Sequence, residues 1–269
     1  MEWRSQNKSM DNVKSLKTCV LASGSKGNCT LIESENTKIL IDIGKSCAYI
    51  TSLLKDLNIE PTEINGVLIT HTHNDHTSGL KVFVKRYHPK IYLTSKMYED
   101  IKDHVFLEDC IFINQPFRIN DLNIDYIKTS HDVSDSNGYI IKKDSKSLVY
   151  ITDTGYINEK NTSKLKNHNI YIMESNHDVK MLMTGKYPYH LKQRVQGDRG
   201  HLSNDDSSKY LSNYIGPNTE YIILAHLSED NNTKKLAYDT LLNNLSKHNK
   251  KINKIIIAEQ DNKTELIAV

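Results

Sequence analysis

Short runs of β-branched and aliphatic residues recur along the first half of the chain, at residues 19–22, 30–33, 38–43, 67–70 and 91–94, then at 111–113, 122–128, 139–141 and 148–152. Their length and composition predict strands. Between them, apolar residues at helical spacing, such as Ile50, Leu53, Leu54 and Leu57 within residues 47–57, predict helices there and at 79–87, 95–106 and 159–167. Pro61 bars the first of these from continuing. The last third keeps the alternation: strand 170–173, helix 204–215 with Ser203 as N-cap, strand 221–225, helix 233–247 and strand 255–258. Mixed strands and helices of this kind predict a single α/β (α+β) domain over residues 18–269. Residues 1–17 are polar and aperiodic, and are expected to form a loosely ordered leader. There is no repeat of fixed period and no low-complexity segment.

Composition narrows the class. Of 269 residues, 38% are hydrophobic and 25% charged, enough for a sizeable core. No run approaches the roughly 18 apolar residues of a membrane span, and the polar N-terminus does not read as a secretory signal. A cytoplasmic protein with no membrane partner is expected. Cys19, Cys29, Cys47 and Cys110 have neither zinc-knuckle spacing nor the density of a disulfide framework, and read as small buried hydrophobes. With 35 Lys+Arg against 33 Asp+Glu, the net charge of +2 neither requires nor excludes a nucleic acid, so local clustering has to decide.

The sharpest chemical signal is His71-Thr72-His73-Asn74-Asp75-His76, directly after the strand expected at 67–70. Three imidazoles and a carboxylate within six residues offer donors suited to Zn²⁺, Mn²⁺ or Fe²⁺. Extended backbone sends His71 and His73 to one side, and the following turn can bring Asp75 and His76 to a second centre. Further donors stand after expected strands: His131 after 122–128, Asp153 after 148–152 and His226 after 221–225. Clefts beyond strand ends are where sheet proteins place ligands.

These residues, with Asp42 ending the early strand Ile39-Leu40-Ile41-Asp42-Ile43-Gly44, resemble the metallo-β-lactamase-fold hydrolase superfamily. Narrower strings resemble one branch of it, the bacterial WalJ/YycJ-type DNA exonucleases. They are Leu21-Ala22-Ser23-Gly24-Ser25-Lys26-Gly27-Asn28, Thr152-Asp153-Thr154-Gly155-Tyr156, the stretch from Glu174-Ser175-Asn176-His177 to Leu182, Gly200-His201-Leu202-Ser203-Asn204, and Ala225-His226-Leu227-Ser228 with Asn231-Asn232. The resemblance implies an αββα sandwich, two mixed sheets flanked by helices, with a di-metal site of Zn²⁺ or Mn²⁺ at the sheet ends. It further implies that His71, His73 and His131 hold one ion, that Asp75, His76 and His226 hold the other, and that Asp153 bridges them. Ser130-His131-Asp132 stands where the superfamily usually has a glycine before its histidine, so His131 and Asp132 both remain candidates for the third-motif ligand.

The implied chemistry is phosphodiester hydrolysis at DNA ends, from the 5′ side, with a hydroxide shared by the two ions as nucleophile. By analogy with phosphodiesterases of the superfamily, Asp153 and His201 are the expected catalytic residues, His201 protonating the leaving oxygen. Asp42 and His177 are expected to orient the metal-binding side chains or the substrate. Ser25, Lys26 and Asn28, in a glycine-rich turn, and Lys192 and Arg194, in the basic stretch 186–200, are expected DNA contacts. The same centre could serve a small-molecule hydrolase acting on a cyclic phosphodiester, thioester or lactone, or an RNA 3′-processing enzyme. Oligomeric state is not legible.

Overall fold

A computed structural model describes residues 16–269. The expected leader therefore lies mostly outside the described residues, while Leu16 is buried and the first strand already begins at Lys17. Six strands come first: β1 Lys17–Ala22, β2 Cys29–Glu33, β3 Lys38–Ile41, β4 Gly66–Leu68, β5 Lys90–Leu93 and β6 Cys110–Phe112. Seven follow: β7 Phe117–Ile119, β8 Leu122–Lys128, β9 Asn137–Lys143, β10 Lys146–Ile151, β11 Ile170–Glu174, β12 Tyr221–Ala225 and β13 Lys254–Ile257. The last, β14 Ile267–Ala268, returns to the first sheet. The helices are α1 Cys47–Asp56, α2 Asn74–Thr77, α3 Leu80–Tyr87, α4 Ser95–Ile101, α5 Thr162–Leu165, α6 Val179–Thr184, α7 Tyr189–Gln196, α8 Asn204–Tyr214 and α9 Lys234–Lys247.

Two seven-stranded sheets result, ordered β14-β1-β2-β3-β4-β5-β6 and β13-β12-β11-β10-β9-β8-β7. Each joins an antiparallel part to a parallel part: β3, β4, β5 and β6 run parallel in the first sheet, and β10, β11, β12 and β13 in the second. The layering follows from the two-residue period of a strand. Ile39 and Ile41 pack between the sheets with Tyr139, Ile141, Ile170 and Ile172, whereas Leu40 faces α1 and α3 beside Leu54 and Phe83. Tyr171 and Met173 likewise face α8 and α9, against Leu211 and Leu241. Strands buried on both faces read as continuous apolar runs, which is why they were legible. The αββα expectation is met.

Side-chain oxygens cap the helices that the sequence signalled. Ser203 accepts from Asp206 N at 3.1 Å and Thr233 from Leu236 N at 3.1 Å, so the cap residue stands just outside α9. Two helices are shorter than expected. The chain leaves α4 at Ile101 through a turn that closes His104 N on Ile101 O at 2.7 Å, and Val105 reaches the core from outside the helix. Residues 159–167 form a 3₁₀ turn followed by the short α5. The strand expected at 139–141 extends to Asn137–Lys143, its ends hidden by polar residues, and the short β7 carried no signal.

Candidate metal centre

Strand ends build the centre. Beyond β4, Ile69 N still donates to Tyr92 O at 3.0 Å, so extended backbone carries the chain to His71 and His73 before α2 turns Asp75 and His76 back. Asp42, Asp153 and His226 each follow a strand and each adopts left-handed backbone, with φ of 60°, 56° and 54°. That conformation is uncommon for a residue with a Cβ and costs on the order of 1–3 kcal/mol, so the surrounding structure must hold it. Its effect is to turn the chain sharply at the sheet edge, with all three side chains in the centre. Gly44 lets two of these loops touch: a Cβ there would stand 1.7 Å from Asp75 O, where Asn28 N also donates at 2.8 Å.

Three clusters of metal-ligating side chains form among the described residues: two are the expected donor groups, and the third, Asp153, Glu174, His201 and His226, shares two members with the second. In the first, His73 Nδ1 lies 3.2 Å from both His71 Nε2 and His131 Nε2. In the second, His76 Nε2 lies 3.2 Å from Asp153 Oδ2 and 3.5 Å from Asp75 Oδ2, which is 3.6 Å from His226 Nε2. Within each group one donor atom per residue lies within 4.8 Å of all the others. Asp153 adjoins both, its Oδ1 being 3.9 Å from His131 Nε2. Asp153 Oδ2 and His226 Nε2 are buried with no hydrogen-bond partner among the described residues. Buried polar atoms are ordinarily satisfied, and unpaired lone pairs converging from imidazole and carboxylate suit a divalent cation.

Hydrogen bonds behind the donors fix which atom faces inward. Asp42 accepts from His76 Nδ1 at 2.7 Å, from Thr70 Oγ1 at 2.6 Å and from Thr70 N at 2.8 Å. The Thr70 hydroxyl, donating to Asp42, is left to accept from His71 Nδ1 at 3.1 Å. His131 Nδ1 donates to Gly200 O at 3.2 Å. Glu174, fully buried at the end of β11, accepts from His226 Nδ1 at 3.0 Å and His201 Nδ1 at 2.7 Å, and from Thr154 N and Leu202 N at 3.0 and 3.2 Å. The sequence reading gave Glu174 no role. Standing directly after the strand expected at 170–173, it had the signal that singled out Asp153 and His226.

Charge separates the groups. Burial opposes the protonation of His226, yet Asp153, Asp75 and Glu174 lift it to about 10. His76 is raised too, against burial, by Asp153, Asp75 and Asp42. His71 and His131 go the other way, burial lowering both. Burial would raise Glu174, but His201 and His226 bring it to about 2.

A family model described as "Beta-lactamase superfamily domain" matches residues 37–224. The chain belongs to that superfamily. Among curated relatives, "Exodeoxyribonuclease WalJ" of Streptococcus pneumoniae serotype 2 is 37% identical over 86% of this chain and 88% of its own length. "Exodeoxyribonuclease YycJ" of Bacillus anthracis is 34% identical over 81% of this chain and 84% of its own. In fold the chain is similar to the metallo-β-lactamase fold protein YhfI from Bacillus subtilis, with a TM-score of 0.69 over 93% of this chain and 99% of that one at 17% identity.

In this beta-lactamase superfamily member the donor groups open into a cavity of about 310 Å³. Tyr187, Leu191, Arg194, Val195 and Arg199, on and around α7, form one wall, with His201 and Ser25 also on the lining. The segment is seated on Gly155, where a Cβ would stand 2.4 Å from Asp198 O. The expected DNA contacts divide. Lys26 is exposed and paired with Glu229 at 2.6 Å. Asn28 is a correction: it is buried, exchanging hydrogen bonds with Gly24 N and O and donating to Asp75 O at 3.3 Å, so it braces the donor loop and cannot meet a solvent-borne ligand. Arg194 faces the cavity and Lys192 does not, because two residues along a helix point to different sides. Lys192 Nζ instead donates to Met183 O at 2.7 Å. His177 joins neither donor group, and burial pushes its imidazole down to about 4. Its carbonyl accepts from Asn204 N at 2.8 Å and so anchors the start of α8.

Proposed function

We propose that the chain is a metal-dependent exodeoxyribonuclease that hydrolyses phosphodiesters at DNA ends, acting from the 5′ end. The observation that carries this reading is the meeting of two donor groups at Asp153 on the lining of one cavity. The DNA substrate comes from the two relatives named exodeoxyribonucleases, whose similarity spans most of both chains. On this reading His71, His73 and His131 hold one ion, Asp75, His76 and His226 the other, and Asp153 reaches both, the ions being Zn²⁺ or Mn²⁺. Bound divalent ions supply Lewis acidity toward a phosphoryl oxygen and acidify coordinated water.

The chain's own residues do the rest. Glu174 commits Nδ1 of His201, leaving Nε2 to donate a proton to the departing oxygen. Burial opposes a charged His201, but the Glu174 carboxylate raises its pKa, so a proton is available there. Arg194, Arg199, Tyr187 and Ser25 wall the cavity, and with the exposed Lys26 nearby on the Ser25 loop they suit a phosphate backbone. A pocket walled on one side by α7 admits a strand end more readily than a continuous duplex.

A cavity of about 310 Å³ also suits a small molecule, so the test needs three substrates. Metal-loaded protein is incubated with DNA labelled at either end, with RNA of the same sequence and with a chromogenic phosphodiester. Shortening of DNA that chelator abolishes, with early release of the 5′ label, is expected. Turnover of the small diester beside intact DNA would replace this reading with small-molecule hydrolysis, and preferential shortening of RNA would replace it with RNA processing.

A further inference from the structure

Three carboxylates stand near the imidazoles without belonging to either donor group, and one differs from the other two. Asp42 and Glu174 are fully buried and closed onto their histidines at 2.7–3.0 Å. Asp132 lines the cavity with 27% of its side chain exposed. Its Oδ2 takes Nε and Nη2 of Arg194, both at 2.6 Å. Its Oδ1 is a buried atom without a hydrogen-bond partner, 3.7 Å from His73 Nε2 and 3.5 Å from His131 Nε2. His73 is also the one histidine of the first group that faces its partners through Nδ1, so Nε2 is the nitrogen it turns toward Asp132.

We propose that Asp132 is the positioning carboxylate of His73, and that Arg194 makes this support responsive to an anion in the cavity. The inference rests on reading His71, His73 and His131 as an ion site. At 3.7 Å the His73 to Asp132 contact is too long for a hydrogen bond. A shift of about 1 Å would bring it to charge-assisted distance, where a carboxylate fixes the ring and strengthens the opposite nitrogen as a ligand. Arg194 holds the carboxylate from the cavity side, on an exposed side chain. A phosphate in the cavity competes with Asp132 for that guanidinium, since both present oxygens to the same planar fork. Release frees Asp132 to close on His73. Phosphate binding and ion binding at the first group therefore reinforce one another, and by linkage each raises the other's affinity by the same factor.

The test measures ion affinity by chelator competition and follows the Co²⁺ spectrum, in the full chain, with and without methylphosphonate, a non-hydrolysable phosphate probe. In the unmutated protein the probe should tighten one ion by about fivefold or more, the lower range of allosteric coupling. With the probe present, Asp132→Asn should weaken one ion by about 10–100-fold relative to the unmutated protein and alter its spectrum, leaving the other ion as it was. Arg194→Ala deletes no donor; by releasing Asp132 for good it should raise the probe-free affinity of one ion by about the factor the probe gives the unmutated protein and leave no further tightening for the probe to produce, a response that Arg194→Lys should partly restore. Unchanged affinity for both ions in a folded Asp132→Asn would overturn the positioning role. Undiminished tightening in Arg194→Ala would overturn the link. Failure of the unmutated protein to bind any divalent ion would instead remove the ion-site reading, a distinct result.

Discussion

The two donor groups are made of similar side chains yet are wired differently into the protein. The second, Asp75, His76, Asp153 and His226, is backed by Asp42 and Glu174, carboxylates with no exposed surface that are fixed by backbone N–H groups of β-strand ends and loops. The first, His71, His73 and His131, leans on a threonine hydroxyl and a carbonyl at Gly200, with the half-open Asp132 standing 3.7 Å from His73. Gly200 and Arg194 both belong to the segment that walls the cavity. One group is thus set by the core of the sandwich, and the other by the part of the molecule that meets the ligand. The same ligand chemistry can serve as fixed scaffold or as responsive element, according to what stands behind it.

The largest effect should come from the residue common to both groups. Asp153→Asn, a neutral amide between two cation sites, should cost several kcal/mol of transition-state stabilisation, on the order of a thousandfold or more in rate, with the fold intact by circular dichroism. His201→Ala should lose about 10²–10⁴-fold while retaining metal, and less on a diester whose leaving group needs no proton. Metal loss in His201→Ala would make it a ligand or support instead.

Stability should separate the two backings next. In metal-free protein Glu174→Ala strands the buried imidazole of His226 and the half-buried one of His201 and should cost about 3–5 kcal/mol, whereas Asp132→Ala removes a pair with a largely exposed arginine and should cost about 1 kcal/mol or less. Denaturant midpoints of the two variants give the comparison. Equal losses would mean that Asp132 is as much a part of the core as Glu174.

The smallest effect is in protons. In the metal-free chain His226, raised to about 10, and His76, also raised, hold protons at neutral pH that a cation must displace. His71 and His131 are already neutral there. Ion uptake at pH 7 should therefore release about two protons, chiefly from the second group, and affinity there should climb as pH rises toward 10. Calorimetry in buffers of different ionisation enthalpy measures the release. No release at all would contradict the charge state assigned to the second group.

Much of this was legible along the chain because it is local. Strands buried on both faces read as apolar runs, and the spacing from His71 to His76 places its own donors. His131, Asp153 and His226 announced themselves by standing after strands. What stayed hidden depends on segments that meet only in the fold. Glu174 acquires its part when His201 and Leu202 N return to it from 27 and 28 residues away. Asn28 reads as a solvent-facing turn residue until the Asp75 loop packs on it. Which of Lys192 and Arg194 faces the cavity depends on how α7 is seated on Gly155, and charge counting along residues 186–200 cannot supply that.

Ion stoichiometry tests the paired-group account most directly. Metal-free protein is reconstituted in excess Zn²⁺ and, separately, Mn²⁺, desalted and analysed for bound metal per chain. Two ions per chain are expected, falling to one when His76 and His226 are both replaced by Ala and the first group is left whole. A stoichiometry that stays at one or below in the unmutated protein with both metals would contradict it.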